Sequence, residues 1–307
     1  MMLGFGIAVQ LLNLCVVPLL LIGVIRKGKA LMQNRWGAPV WQPFYDIAKF
    51  LRKSETISET ASWVFPWAPR IGLAVALLAG VLVPWTGCFL PVDWAPATNF
   101  LLVLYLLALG KFFTLLAAMD TGSAFGGLGA SREVTISMLV EPTLVIGFGA
   151  LALGAGTADL LTIYRTPAHP IVAMLVGAAF AIAALAELSR MPVDDPTTHL
   201  ELTMVHEAMI LENSGHNLAL VELGVALRTC IFLGLTVQTL LHVWPHYGDL
   251  PALTRYALGL GGVLLIGVAV AIAEGMLVKL KWRSVPHYLA FATVFSLLAA
   301  LIAVAQV

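Results

Sequence analysis

The sequence predicts an all-α integral membrane protein: about eight transmembrane helices, an interfacial amphipathic helix and a short cytoplasmic helix, in one polytopic domain over 1–307. Three observations carry that prediction. Of 307 residues, 60% are hydrophobic and 11% charged, against roughly 45–50% and about 25% in an ordinary soluble domain. A soluble fold of this length has too little interior to hide so much apolar surface. Eight stretches approach or exceed the roughly 20 apolar residues that cross a hydrocarbon layer. The basic residues also fall almost wholly on one side of those stretches.

The first span, Leu3–Ile25, lies where a signal peptide would. It has no basic n-region, its apolar stretch is too long, and Arg26-Lys27-Gly28-Lys29 follows at once, so it reads as a retained span. The segment Arg26–Pro69 comes next. Within it Trp41, Phe44, Ile47, Ala48 and Leu51 repeat at helical spacing, while Asp46, Lys49 and Lys53 share another face. That pattern fits a helix in the headgroup plane anchored by Trp and Phe, or one packed on the protein's own cytoplasmic surface. Spans two to five are Ile71–Leu90, Thr98–Met119, Val134–Gly156 and Pro170–Ala186. Met191-Pro192 ends the fifth, because Pro disfavours helix in the residue before it. In the loop Glu187–Asn217, Asp195-Pro196 has the form of an N-cap followed by Pro at the first helical position. A short cytoplasmic helix from Pro196 to about Leu211 is expected, closed by Ser214-Gly215. Leu218–Trp244, Tyr256–Val278 and Val285–Val307 complete the set.

Thirteen Lys and Arg lie on the side of 26–69 and 187–217, and only Arg165 and Arg255 on the other. The positive-inside rule then makes those long loops cytoplasmic and puts both termini outside. A net charge of zero gives no global field for nucleic acid. Cys15, Cys88 and Cys230 are scattered, without the C-x-x-C spacing of a zinc ribbon or a cysteine-ligated cluster. His206-Glu207 opens like H-E-x-x-H, but position 210 is Ile, and His199 and His206 read as solvated cytoplasmic histidines. Gly147–Ala152 loosely matches a dinucleotide fingerprint inside a span, where close helix packing is the better reading. No nucleophile–base constellation appears, so the chemistry is expected to reside in a partner.

An ionisable group at mid-membrane costs at least about 2.5–3.5 kcal/mol by insertion scales, so each needs a partner or a purpose. The candidates are Lys111, Glu141, Glu222, Arg228 and Glu274, with Glu133 and Glu187 near span ends. Such a series can relay protons. Each also has a structural reading. Glu222 and Arg228 can each pair with a neighbouring helix, and Lys111 can neutralise a carboxylate. Glu274 can snorkel outward, and Glu187 with Arg190 can form an ordinary helix-end pair. Glu141 precedes Pro142, where a weakened helix suits a hydrated pocket.

Several motifs then stand in order along the chain. They are Asn34-Arg35-Trp36-Gly37-Ala38-Pro39 through Gln42-Pro43-Phe44-Tyr45-Asp46 to Lys53-Ser54-Glu55; Asp120-Thr121-Gly122-Ser123 with Gly129-Ala130-Ser131-Arg132-Glu133 and Glu141-Pro142; and Ala186-Glu187-Leu188-Ser189-Arg190-Met191-Pro192-Val193-Asp194 with Glu201-Leu202 and Glu212-Asn213-Ser214-Gly215. They resemble the complex I subunit 1 family, in forms closest to its formate hydrogenlyase and hydrogenase-4-type branch. The resemblance implies a membrane anchor of the prokaryotic inner membrane, with no redox centre of its own. It would dock peripheral hydrogenase-like large and small subunits carrying nickel–iron and iron–sulfur centres, beside antiporter-like membrane subunits. Ion movement would follow Glu133, Glu141, Glu187, Asp194, Glu201 and Glu212, with Arg35, Arg132 and Arg190 as fixed counter-charges. From the residues themselves, Lys111, Glu222 and Glu274 join that path and Asp46 joins the counter-charge or docking set.

Departures from the family pattern stand at Val193, where a Phe is usual, and at Thr197 and His199, where carboxylates are expected. His199 either substitutes as a proton carrier or marks a relaxed coupling. The alternative within the family is a subunit lining the quinone site of a complex I-like oxidoreductase. A stand-alone secondary transporter is disfavoured because the two halves show no internal repeat.

Overall fold

A computed structural model describes residues 2–87, 92–195 and 204–306. Among them are eleven α-helices, eight of which are long and apolar enough to cross a membrane. These eight are α1 (Met2–Met32), α3 (Val64–Leu82), α4 (Phe100–Asp120), α5 (Ala124–Ala155), α7 (Pro170–Glu187), α9 (Gly215–Leu241), α10 (Ala252–Met276) and α11 (Val285–Gln306). The shorter ones are α2 (Gln42–Leu51), α6 (Leu160–Ile163) and α8 (His206–Ile210).

The span count matches the sequence reading, but several boundaries move, each for a local reason. α1 continues past Ile25 to Met32 because Arg and Lys are good helix formers. α3 starts seven residues earlier than Ile71, because Asp120 of α4 caps it from outside. Its carboxylate accepts from the backbone N–H of Ser62 at 2.8 Å and of Phe65 at 3.2 Å. The same helix stops at Leu82 rather than Leu90, since Val83, ahead of Pro84, is extended. α5 begins ten residues before Val134. Gly122, at φ +67°, makes the tight reversal from α4, and Gly156, also left-handed, ends the helix.

The expected helix Pro196–Leu211 is only partly visible, since 196–203 lie outside the described residues. Within them Met204 and Val205 are not helical. The Asp194 carboxylate accepts from the Val205 N–H at 3.0 Å and the His206 N–H at 3.4 Å, fixing where α8 starts.

α9 is the central helix: every residue from Thr229 to Thr239 is buried. It packs on α1, α3, α7 and α10, while α11 closes against α5 and α7. At its far end His242 is pinned, its two ring nitrogens each 2.8 Å from a carbonyl, of Gln238 and of Tyr164. The small-residue reading of Gly147–Ala152 holds at Gly147, where a Cβ would fall 2.6 Å from the Phe180 ring, but not at Gly149, which faces open space. α2 divides the stripe read from its sequence. Phe44 and Ile47 pack on Leu19, Ile22, Leu223 and Ala226, whereas Trp41, Ala48 and Leu51 stay exposed.

Candidate functional site

The ionisable groups gather where the basic-loop ends of α1, α4, α5, α7, α9 and α10 meet. Lys111 of α4 is the deepest. Its ammonium lies 2.7 Å from Glu133 of α5 and 2.7 Å from Glu187 at the end of α7, and donates to Ser137 Oγ at 2.9 Å. These side chains are 7%, 3% and 13% exposed. One cation between two carboxylates leaves the triad one negative charge in excess. Arg228 of α9 feels the same two carboxylates without an ion pair to either among the described residues.

A second group surrounds Glu274 of α10, whose side chain is 1% exposed. Arg190 reaches it at 3.1 Å and Lys29 of α1 at 3.6 Å. Lys29 also meets Asp195 at 3.2 Å, and Lys279 meets Asp194 at 2.6 Å. Two cations on one buried carboxylate make Glu274 a fixed anion. Snorkelling of Glu274 is therefore overturned, as is a Glu187–Arg190 pair, because each finds its partner on another helix. At the rim, Arg26 bridges Asp46 at 3.4 Å and Glu222 at 3.7 Å.

Between these groups lies a cavity of about 510 Å³. Leu19, Ile22, Ile47 and Ala226 form its apolar side, and Arg26, Lys29, Arg35, Arg190, Asp194 and Glu274 its polar side. His206 also lines it, and so is not the solvated histidine expected. Its Nε2 is buried and has no hydrogen-bond partner among the described residues. Burial first, then the charges of Arg228 and Lys111, push its pKa down to about 4 against the opposing pull of Glu133 and Asp194.

The remaining predicted residues take distinct places. Glu141 is exposed on the surface of this chain in mid-span, and lines a small crevice of about 70 Å³ with Lys111 and Glu187. Arg132 donates to the Met204 carbonyl at 3.1 Å and sits 5.7 Å over the Trp282 ring. Arg35 bonds Gln33 and is exposed, as is Glu212. His199 and Glu201 lie outside the described residues, and so does Thr197.

Lys29, Asp195, Lys279 and Ser189 were missed as site residues. Lys29 was taken as a loop charge that sets orientation. Its signal was available: it continues the buried stripe of Leu21, Ile22 and Ile25 at helical spacing.

Known proteins share this architecture. The family model described as NADH dehydrogenase matches residues 5–305. The chain belongs to the NADH dehydrogenase family of complex I subunit 1. Within that family it is 32% identical to hydrogenase-4 component C of Escherichia coli strain K12 over 291 residues, 92% of this chain and 90% of that one. It is 30% identical to formate hydrogenlyase subunit 4 of the same strain, covering 95% and 98%. It is 26% identical to an NADH-quinone oxidoreductase membrane chain of Syntrophobacter fumaroxidans, covering 91% and 89%. Among solved structures, a chain of the membrane-bound sulfane sulfur reductase, an archaeal respiratory membrane complex, shares the fold. The TM-score is 0.81 at 19% identity, covering 99% of this chain and 100% of that chain. The multi-pass, all-helical membrane architecture read from the sequence is thus the architecture of this family.

Proposed function

We propose that this chain is the membrane anchor and proton-translocating subunit of a respiratory hydrogenase or formate hydrogenlyase-like complex. It couples electron transfer in a docked peripheral redox module to proton movement through buried carboxylates. The names of the two relatives at 30% identity or more support the kind of complex. The observation that carries the mechanism is Lys111 held 2.7 Å from both Glu133 and Glu187. Each contact is worth on the order of 6 kcal/mol of attraction at an effective dielectric of about 20. The excess negative charge invites one proton. When either carboxylate takes it, the ammonium is drawn toward the other, so proton arrival moves a charge.

Glu141 extends the path outward through the crevice it shares with Lys111 and Glu187. A carboxylate on the bare surface of a span does not face lipid in a working protein. Its exposure here fits an adjoining antiporter-like membrane subunit. Electron transfer belongs to nickel–iron and iron–sulfur centres in peripheral large and small subunits, docked on the loops 26–69 and 187–217. Those loops face the cytoplasm, the termini face outward, and the membrane is the prokaryotic inner membrane. Glu141→Gln tests the path: assembly and electron transfer persist while coupled proton movement falls. Unchanged pumping by Glu141→Gln membranes would refute the role.

The cavity favours a second reading, a quinone-lining subunit of a complex I-like oxidoreductase. Its apolar walls and charged end fit an amphipathic ring on a tail, with Ile47 and Ala226 beside the tail and Arg190 and His206 beside the head. A quinone supplies two-electron redox chemistry, and these residues would bind and orient it. A quinone photolabel in Trp41–Leu51 would favour this reading, and failure to label there would count against it.

A further inference from the structure

The carboxylate path needs a connection to water, and the following inference rests on the proton-translocation reading above. Lys111, Glu133 and Glu187 do not line the large cavity, but Ser189 and His206 do. Ser189 Oγ lies 3.5 Å from Glu133 Oε2 as its donor, so one wall residue already touches the carboxylate.

His206 is placed against the same carboxylate by the packing of α8 on α5. A Cβ at Gly129 would fall 2.7 Å from the Val205 carbonyl, so α8 begins in a notch that only glycine leaves open. Glu133 stands four residues along α5, on the face that Gly129 presents. The charges acting on the imidazole come from every element around it: Arg228 on α9, Lys111 on α4, Glu133 on α5, and Asp194 just before α8. The buried Nε2 has no partner among the described residues. Unbonded buried polar atoms are uncommon in native proteins, and each calls for an explanation.

We infer that His206 is the proton relay between the water-accessible cavity and Glu133. A neutral imidazole carries one N–H and one lone pair. A proton from cavity water binds the lone-pair nitrogen, and the ring is briefly cationic. The other nitrogen then releases its proton toward the Glu133 carboxylate, by way of the Ser189 hydroxyl or a water. One proton enters, one leaves, and the ring ends neutral in the opposite tautomer, which a ring flip resets. A pKa of about 4 keeps the resting ring neutral and its cationic state short-lived.

The test uses the whole membrane complex in proteoliposomes containing a pH-sensitive dye, with turnover driven by reduced methyl viologen. His206→Ala is expected to lower proton uptake per electron about tenfold while electron transfer persists. Added imidazole should enter the open cavity and restore uptake, and a series of substituted imidazoles should restore it in an order set by their basicity. A merely structural histidine would not give that order. If His206→Ala does not assemble, His206→Gln takes its place, keeping size and hydrogen bonding but carrying no proton. Lowered uptake with electron transfer intact supports the relay. Glu133→Gln runs alongside as the control for the underlying reading. Loss of uptake in Glu133→Gln with normal uptake in the His206 variants overturns the relay alone. Normal uptake in Glu133→Gln overturns the proton path itself.

Discussion

Removing the Lys111 charge is the most direct perturbation of the buried triad. In Lys111→Met the chain keeps its length and packing, but Glu133 and Glu187 lose the ammonium that lies 2.7 Å from each. Those carboxylates are 3% and 13% exposed, so neither recovers full hydration. Breaking a buried pair by removing one partner destabilises by about 3–5 kcal/mol, because an uncompensated charge stays behind. Here two are left, and the chain will respond by keeping at least one protonated near neutral pH. The expected loss is therefore about 3–5 kcal/mol rather than twice that figure. The assay is the unfolding midpoint of the purified subunit in mild detergent, by tryptophan fluorescence against added SDS. The decisive comparison is the triple variant with Glu133→Gln and Glu187→Gln. Replacing a whole buried ion group by neutral side chains is often near-neutral for stability, so the triple variant should recover most of the loss. A Lys111→Met protein as stable as the parent would refute the reasoning, and so would a triple variant no better than the single.

Three further outcomes follow from the same geometry. Because burial holds the His206 pKa at about 4, below the ordinary value of about 6.5, the unfolded chain binds the extra proton first. The stability this contributes is present above about 6.5 and is lost as pH falls toward 4, by up to about 3 kcal/mol. His206→Asn should flatten that part of a pH–stability curve, and an unchanged curve would contradict it. Asp194→Asn removes the charge that Lys279 meets at 2.6 Å but keeps an acceptor for the Val205 N–H. Asp194→Ala removes both, and should be the less stable by about 1 kcal/mol, with faster proteolysis at 204–211; equal cleavage rates would count against the cap. Asp120→Ala should cost about 1 kcal/mol and raise amide exchange at Ser62 and Phe65, whose N–H groups it now caps.

Much of the site was visible as a list of residues, yet little of it as an arrangement. Lys111, Glu133, Glu187 and Glu274 stood out because each is ionisable inside or beside an apolar run, a test that needs no neighbours. Their partners did not stand out. Lys111 was read as a neutraliser of some carboxylate, and it serves two. Arg190 was assigned to Glu187, three residues away, but it bonds Glu274 at 3.1 Å. The i, i+3 rule concerns one exposed helix face, and Arg190 lies beyond the end of α7, where the chain has already turned toward α10. His206 was assigned to solvent because the loop around it is polar, although α8 folds back under α5.

The sequence by itself determined the class of molecule, the eight spans and the concentration of basic residues at one set of loop ends. Apolar length and the exclusion of charge from hydrocarbon are properties of each segment alone. Only the tertiary structure decided which carboxylate meets which cation, which of them share a cavity, and that Glu141 is left on the surface while Glu133 is enclosed. Those outcomes depend on how each helix is rotated and crossed against its neighbours. A capping carboxylate from α4, a notch at Gly129 and a left-handed turn at Gly122 set such rotations through contacts between segments far apart in the chain.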